Sequence, residues 1–234
     1  MKYFYQAMTA WELEFTRKIP EQMAYMACHF SPYGTRLGNV PKALPEGAVL
    51  RVNDRIPVAG HDGRAISEQL GELVEAFQVA AVVLDLQRPG VQEAKEIAGR
   101  IVEALPCPVA VSDCYAEGLS GAVFLSPPEL WTPMETWLAP WAGREIWAEA
   151  VCQQAVVRIT EDGSSYGEVP FGDEDWKLQE ESFLSWEVTK GDGVLSVGLR
   201  RGPEELKKWM EQAEKLGVKR FFGLYQQSTC GIDN

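Results

Sequence analysis

The chain has 234 residues, enough for one α/β barrel or two small domains with a sizeable core. Hydrophobic residues make up 46% and charged residues 24%, the balance of a soluble globular protein. A net charge of −12 argues against nucleic acid and anionic membrane surfaces as partners, and fits a solvated acidic surface.

The N-terminal residues show no apolar leader pattern, and no apolar run reaches membrane-spanning length. Five cysteines (Cys28, Cys107, Cys114, Cys152, Cys230) are scattered without a Cys-x-x-Cys pair. Neither a zinc site nor a disulfide framework is therefore expected, and reduced thiols in the cytoplasm fit best. His29 and His61, even with Asp54 and Asp62 nearby, lack metal-ligand spacing. No Gly-rich loop precedes a helix to cradle a phosphate, and no Ser or Cys occupies a nucleophile elbow. No cofactor and no metal is expected.

In chain order, residues 3–7 form a first strand, 10–18 a short helix and 24–30 a second strand. A Gly- and Pro-rich loop over 31–47 leads to a strand at 48–53 that ends at Asn53-Asp54-Arg55. Residues 63–77 place Ile66, Leu70, Leu73, Val74 and Phe77 on one helical face, with Asp62 at the N-cap position. A strand at 80–86 follows, then a helix over 91–105 with Val91, Ala94, Ile97, Ala98, Ile101, Val102 and Leu105 as its stripe. Short strands at 109–112 and 122–126 flank a crossover, 114–121, too short for a full helix. Residues 133–142 read as a helix and 145–151 as a strand.

The pattern then changes. Runs at 155–160 and 166–170 flank Glu161-Asp162-Gly163, and runs at 183–189 and 194–199 flank Lys190-Gly191-Asp192-Gly193. Both are hairpin signals. A helix opened by Pro203, with Leu206, Trp209, Met210, Ala213 and Leu216 on one face and Gly217 past its end, precedes a last strand at 220–226.

Eight strand candidates outside the hairpins, alternating with helices, predict an irregular (β/α)8 TIM-like barrel. Residues 1–234 form a single domain in this view, with 152–200 as a β-hairpin insertion. An open doubly wound sheet is the alternative.

The most informative stretch is 79–90, Val-Ala-Ala-Val-Val-Leu-Asp-Leu-Gln-Arg-Pro-Gly. Its apolar run reads as a strand buried on both faces, ending in Asp85, Gln87 and Arg88. Barrel proteins keep their chemistry at such strand ends. Asp54, Asp113, Glu149 and Gln226, with Tyr225 beside it, lie at other strand ends and would converge on the same mouth. Tyr115 and Trp131, in loops after strands, offer aromatic faces for a sugar ring. Trp137, Trp141 and Trp209 read as helix packing, and Trp147 as core. The bland alternative is that Asp54 and Asp113 cap turns, and that Arg88 or Arg55 neutralises Asp85.

With this count the Asp85 strand is the fourth, and the hairpins fall between strands seven and eight. Both features resemble the chitinase-like glycosidases of glycoside hydrolase family 18, whose fourth strand carries Asp-x-x-Asp-x-Asp-x-Glu. Laid on this chain the four positions are Ala80, Val83, Asp85 and Gln87, so one acid is kept and the catalytic Glu is replaced. The Met-Tyr-Asp that such enzymes often place on strand six reads Leu125-Ser126-Pro127. A Gln amide cannot protonate a leaving glycosidic oxygen, but it can hydrogen-bond a hydroxyl or acetamido group. The resemblance therefore implies carbohydrate or other polar small-molecule binding by a degenerate glycosidase. Two alternatives stand beside it. One is an active hydrolase that uses Asp85 with Glu149, Asp54 or Asp113. The other is a structural or interaction protein that uses the hairpin insertion. The expected partner is a small molecule or oligosaccharide, neither nucleic acid nor membrane, and the oligomeric state is open.

Overall fold

The computed structural model describes residues 2–7, 23–30, 36–54, 64–87, 94–130, 132–151, 154–159, 165–166, 183, 185–191 and 194–224. The strands in chain order begin with β1 (Lys2–Ala7), β2 (Met23–Phe30), β3 (Leu37–Gly38) and β4 (Val49–Asn53). They continue with β5 (Ala81–Asp85), β6 (Val109–Ser112), β7 (Ala122–Leu125) and β8 (Ile146–Glu149). The last five are β9 (Gln154–Ile159), β10 (Ser165–Tyr166), β11 (Ser185–Gly191), β12 (Val194–Arg200) and β13 (Val218–Leu224). The helices are α1 (Ile66–Phe77), α2 (Ala94–Ala104), α3 (Asp113–Ala116), α4 (Met134–Leu138) and α5 (Pro203–Lys215).

The chain divides into two compact units. The first comprises Met1–Ser126, Gly143–Glu149 and Val218–Tyr225. Its strands run β1-β13-β8-β7-β6-β5-β4-β2, and a β1–β2 pairing closes the ring. All eight neighbouring pairs are parallel, so the ring is a (β/α)8 barrel, as the strand count predicts. β3 lies antiparallel against the end of β2, with Phe30 opposite Leu37.

Strand alternation sorts the side chains. Phe4, Ala24, Val49, Ala81, Val83, Ala110, Phe124, Trp147 and Phe222 make one buried cluster inside the ring. Phe222 stacks on Phe4 at 5.1 Å between centroids and meets Phe124 edge-on at 5.8 Å. Trp147 is fully buried, the core role expected of it. At the N-terminal end of the strands Arg220 lies 4.1 Å over the Trp147 ring, and Trp147 Nε1 donates to Glu145 at 2.6 Å. The intervening residues, such as Leu50, Val52, Val82, Leu84, Val111 and Val123, are also buried. That double burial explains the continuous apolar runs of β4 and β5.

α1 starts at Ile66, later than the predicted residue 63, and its N-cap is Ala65 without a side-chain cap bond. Asp62, Val91 and the expected helix over 10–18 lie outside the described residues. Gln69, in the first turn, does the joining instead. Its Oε1 accepts from Leu37 N at 3.1 Å, and its Nε2 donates to the Arg64 carbonyl at 3.2 Å, tying β3 to the start of α1. The crossover between β6 and β7 holds only the four-residue α3, short as expected. Arg144 braces it by donating to the carbonyls of Ala116 at 3.2 Å and Gly121 at 2.6 Å. Gly121 cannot be replaced freely, since a Cβ there would sit 2.7 Å from the Val109 carbonyl oxygen.

The second unit comprises Pro127–Ala142, Ala150–Gly217 and Gln226–Asn234. Its sheet is antiparallel in the order β10-β9-β12-β11. The α5 stripe Leu206, Trp209, Met210 and Ala213 is buried, and Trp137 stacks on Trp209 at 5.3 Å. Leu216 departs from the expected stripe. The helix ends at Lys215, so Leu216 becomes the C-cap and is 42% exposed. Among the described residues no helix is long and apolar enough to cross a membrane.

Candidate functional site

One step beyond the apolar interior, the inward positions turn polar. Two residues after Phe4, Arg51, Val83, Ala110, Phe124 and Trp147 come Gln6, Asn53, Asp85, Ser112, Ser126 and Glu149. Residues two apart share a face of a strand, so all six project toward the axis at the C-terminal end of the ring. That end is where barrel proteins assemble their sites.

Arg51, in the middle of β4, organises this layer. It is fully buried, and a buried guanidinium needs partners for its donors. Its Nη2 donates to Asp85 Oδ2 at 2.7 Å and its Nε to the same oxygen at 3.2 Å. Its Nη1 donates to Glu149 Oε1 at 2.9 Å and also to Gln6 Oε1. The face of the guanidinium lies 4.6 Å over the Phe124 ring. Burial works against the charged form, but Asp85 and then Glu149 outweigh it and hold Arg51 above its ordinary value. Asp85 is thus neutralised by Arg51. Neither Arg55 nor Arg88, the neighbours that the sequence suggested, lies within the described residues.

The second oxygen of Asp85 meets Gln87. Gln87 Nε2 donates to Asp85 Oδ1 at 2.7 Å and to Ser126 Oγ at 2.9 Å. Both amide hydrogens are spent, so the exposed Gln87 side chain presents its carbonyl oxygen, an acceptor, to whatever enters. Asp85 itself is 0% exposed, and Gln87 links it to the mouth. The Gln87 backbone N–H donates to Asp54 Oδ1 at 2.9 Å, so Asp54 bridges the ends of β4 and β5 rather than only capping its own turn.

The loop after β6 adds a second group. Ser112 Oγ donates to the Leu84 carbonyl at 3.0 Å and accepts from Leu86 N at 2.9 Å, locking β6 to β5. Asp113 Oδ1 accepts from Cys114 N at 2.8 Å, the local role considered for it. The Cys114 thiol donates to the Leu86 carbonyl at 3.1 Å. Burial and then Asp113 push that thiol up, a backbone bond partly offsets them, and Asp54 and Asp85 add smaller upward pushes. Burial, Cys114 and Asp54 push the Tyr115 hydroxyl up in the same way. A thiol so raised is a poor nucleophile at neutral pH.

Of the residues singled out in the sequence, Asp54, Asp85, Gln87 and Glu149 belong to one hydrogen-bonded network through Arg51. Asp113 and Tyr115 stand beside Cys114, where the charges of Asp54 and Asp85 are felt. Arg88, Trp131, Tyr225 and Gln226 lie outside the described residues. Sequence reasoning missed Arg51, Gln6 and Ser126. The available signal was a charged residue within the otherwise apolar run Ala48 to Val52. Among the described residues no group of three or more His, Cys, Asp or Glu is placed to hold a metal ion.

No protein-family model matches the sequence, and no curated protein is similar to it. Solved structures do resemble the fold. The spore cortex-lytic enzyme SleL of Bacillus cereus matches with a TM-score of 0.60 at 9% identity, over 94% of this chain and 69% of that one. SleL of Bacillus megaterium matches at 0.56 and 10% identity, with the same coverage. The C-terminal domain of a candidate chitinase from Desulfitobacterium hafniense matches at 0.54 and 9% identity, over 94% of this chain and 92% of that one. At such identities the likeness is one of fold.

Proposed function

We propose that the mouth of the barrel binds a carbohydrate or a similar polar small molecule without hydrolysing it, on a scaffold related to the glycosidases of family 18. The observation that carries this reading is the Asp85–Gln87–Ser126 arrangement. In the motif alignment of the sequence Gln87 takes the position of that family's acid, and it donates to the Asp two residues before it. Its amide has no acidic proton to give, and its carbonyl is left to accept from a ligand O–H or N–H. The fold likeness to cortex-lytic and chitinase-type structures supports the same ligand class. Asp54, Asp113 and Tyr115 stand around the entrance as further ligand contacts, with Arg88, Trp131, Tyr225 and Gln226 as candidates from the sequence.

A working acid–base pair of Asp85 and Glu149 is less well supported. Both carboxyl groups share Arg51, and the other Asp85 oxygen accepts from Gln87 Nε2, so Asp85 is spent on protein partners. An interaction role for the hairpin insertion at 152–200 has no observation in its favour beyond the insertion itself.

The test is calorimetry against chito-oligosaccharides and cell-wall glycan fragments, with chromatography of the recovered ligand. Saturable binding with intact ligand is expected. Absence of binding to every fragment, or release of shorter products, would contradict the proposal.

A further inference from the structure

Gln6 is 1% exposed, and its Oε1 is held by Arg51. Its Nε2 is buried and has no hydrogen-bond partner among the described residues. Buried donors are seldom left unmade, because the lost hydration is not recovered. On the same guanidinium nitrogen sits Glu149, whose Oε1 lies 2.9 Å from Arg51 Nη1. Among the described residues Arg51 is its hydrogen-bond partner, and its side chain keeps 11% of its surface open. Two side chains that converge on one nitrogen lie side by side. Among the described residues one therefore offers an unused N–H, and the other a carboxylate with an unused oxygen.

We propose that Gln6 and Glu149 form a donor–acceptor pair that reads one hydroxyl group of the ligand at the inner end of the mouth. This rests on the reading of the mouth as a ligand site, and it names a contact that the Gln87 carbonyl cannot make. A hydroxyl is the group that suits such a pair, since its oxygen accepts from Gln6 Nε2 while its hydrogen is donated to Glu149. A carbonyl would satisfy Gln6 alone, and an ammonium would satisfy Glu149 alone. A carboxylate or phosphate would meet Glu149 as a like charge. The pair thus selects polyols, sugars among them, over anions. A site built to hydrogen-bond a hydroxyl discriminates strongly against an analogue that lacks it, because both protein groups are then left unpaired.

The test exploits the two-way character of a hydroxyl. Gln6→Glu keeps an acceptor for Arg51 but exchanges the N–H for a second carboxylate, and Glu149→Gln exchanges the carboxylate for an amide, so each single variant also changes the charge beside Arg51. In calorimetry with the tightest-binding chito-oligosaccharide or cell-wall fragment, each single variant is expected to bind roughly tenfold more weakly. The double variant Gln6→Glu/Glu149→Gln exchanges donor and acceptor at constant charge. It is expected to recover most of the affinity, because the hydroxyl can turn round. Wild-type affinity in both single variants, or a double variant no better than the singles, would overturn the pairing. If the wild type binds none of these fragments, the ligand reading fails by itself. The crystal structure of the unliganded protein then decides the pair. An ordered water within hydrogen-bond distance of both Gln6 Nε2 and Glu149 supports it, and Gln6 Nε2 bonded to another protein group overturns it.

Discussion

Replacing Arg51 by Met removes the guanidinium that ties four strands of the barrel together. The side chain is fully buried and gives Asp85 two hydrogen bonds, at 2.7 and 3.2 Å, and Glu149 one at 2.9 Å, besides its bond to Gln6. Without it Asp85, with no exposed surface, and Glu149, with 8%, keep their carboxyl groups in a site that has lost the Arg51 counter-charge. Breaking a buried pair from one side costs about 3–5 kcal/mol, whereas an exposed pair is worth about 0–1 kcal/mol. For a chain of 234 residues each kcal/mol lowers Tm by roughly 2–4 °C, so Arg51→Met is expected to lose about 6–20 °C in calorimetry. The triple variant Arg51→Met/Asp85→Leu/Glu149→Met replaces the whole cluster by apolar volume and is expected to regain most of that loss. A single variant that loses less than about 3 °C, or a triple variant no more stable than the single, would refute the view that Arg51 neutralises a buried acid pair.

Gln87→Glu places a carboxyl group where an amide now donates to Asp85 at 2.7 Å, so the two acids must share a proton. That raises a carboxyl pKa in the folded state, and stability present at low pH is lost as pH rises through the raised value. The variant is expected to lose about 1–3 kcal/mol near neutral pH and to recover on acidification, and a pH-independent Tm difference from wild type would contradict this. Gln69→Ala leaves the Leu37 N–H without its acceptor, at a cost of about 1–3 kcal/mol. Its sign is faster hydrogen exchange at Leu37 than at the β5 amides, and uniform acceleration would count against a local clamp. Cys107, Cys114 and Tyr115 are all pushed up, chiefly by burial, from ordinary values of 9.0, 9.0 and 10.0. Their contribution is fully present below those values and is lost as pH rises above them. Tm is therefore expected to fall on titration through that range, and to fall less in Cys107→Ala/Cys114→Ala; an equal fall in both proteins would contradict the assignment.

The barrel is legible in the sequence because its strands are buried on both faces and so appear as short apolar runs between breakers. Strands predicted at 48–53, 80–86 and 109–112 occur at Val49–Asn53, Ala81–Asp85 and Val109–Ser112. The polar end of the site is legible for the same reason, since Asp85 and Gln87 interrupt such a run. Arg51 and Gln6 are not legible, because their partners are distant in sequence. Arg51 meets Asp85 34 residues on and Glu149 98 residues on, and only ring closure brings the three together. The sequence offers Arg55 and Arg88, both at strand ends and outside the described residues, whereas Arg51 reaches Asp85 from the middle of the neighbouring strand. The start of α1 was misplaced because Gln69, inside the helix, does the tying that an N-cap side chain was expected to do.

The most direct test of binding at the mouth is nitrogen-detected mapping by NMR, titrating the best-bound glycan fragment into labelled protein. Binding at the C-terminal ends of the strands predicts shifts for the side-chain amide of Gln87 and for the backbone amides of Gln87, Cys114 and Ser126. Amides at the opposite end, around Glu145 and Arg220, should stay unmoved. Shifts centred on Glu145 and Arg220, or confined to β9–β12, with the Gln87 side-chain amide unchanged at saturation, would contradict it.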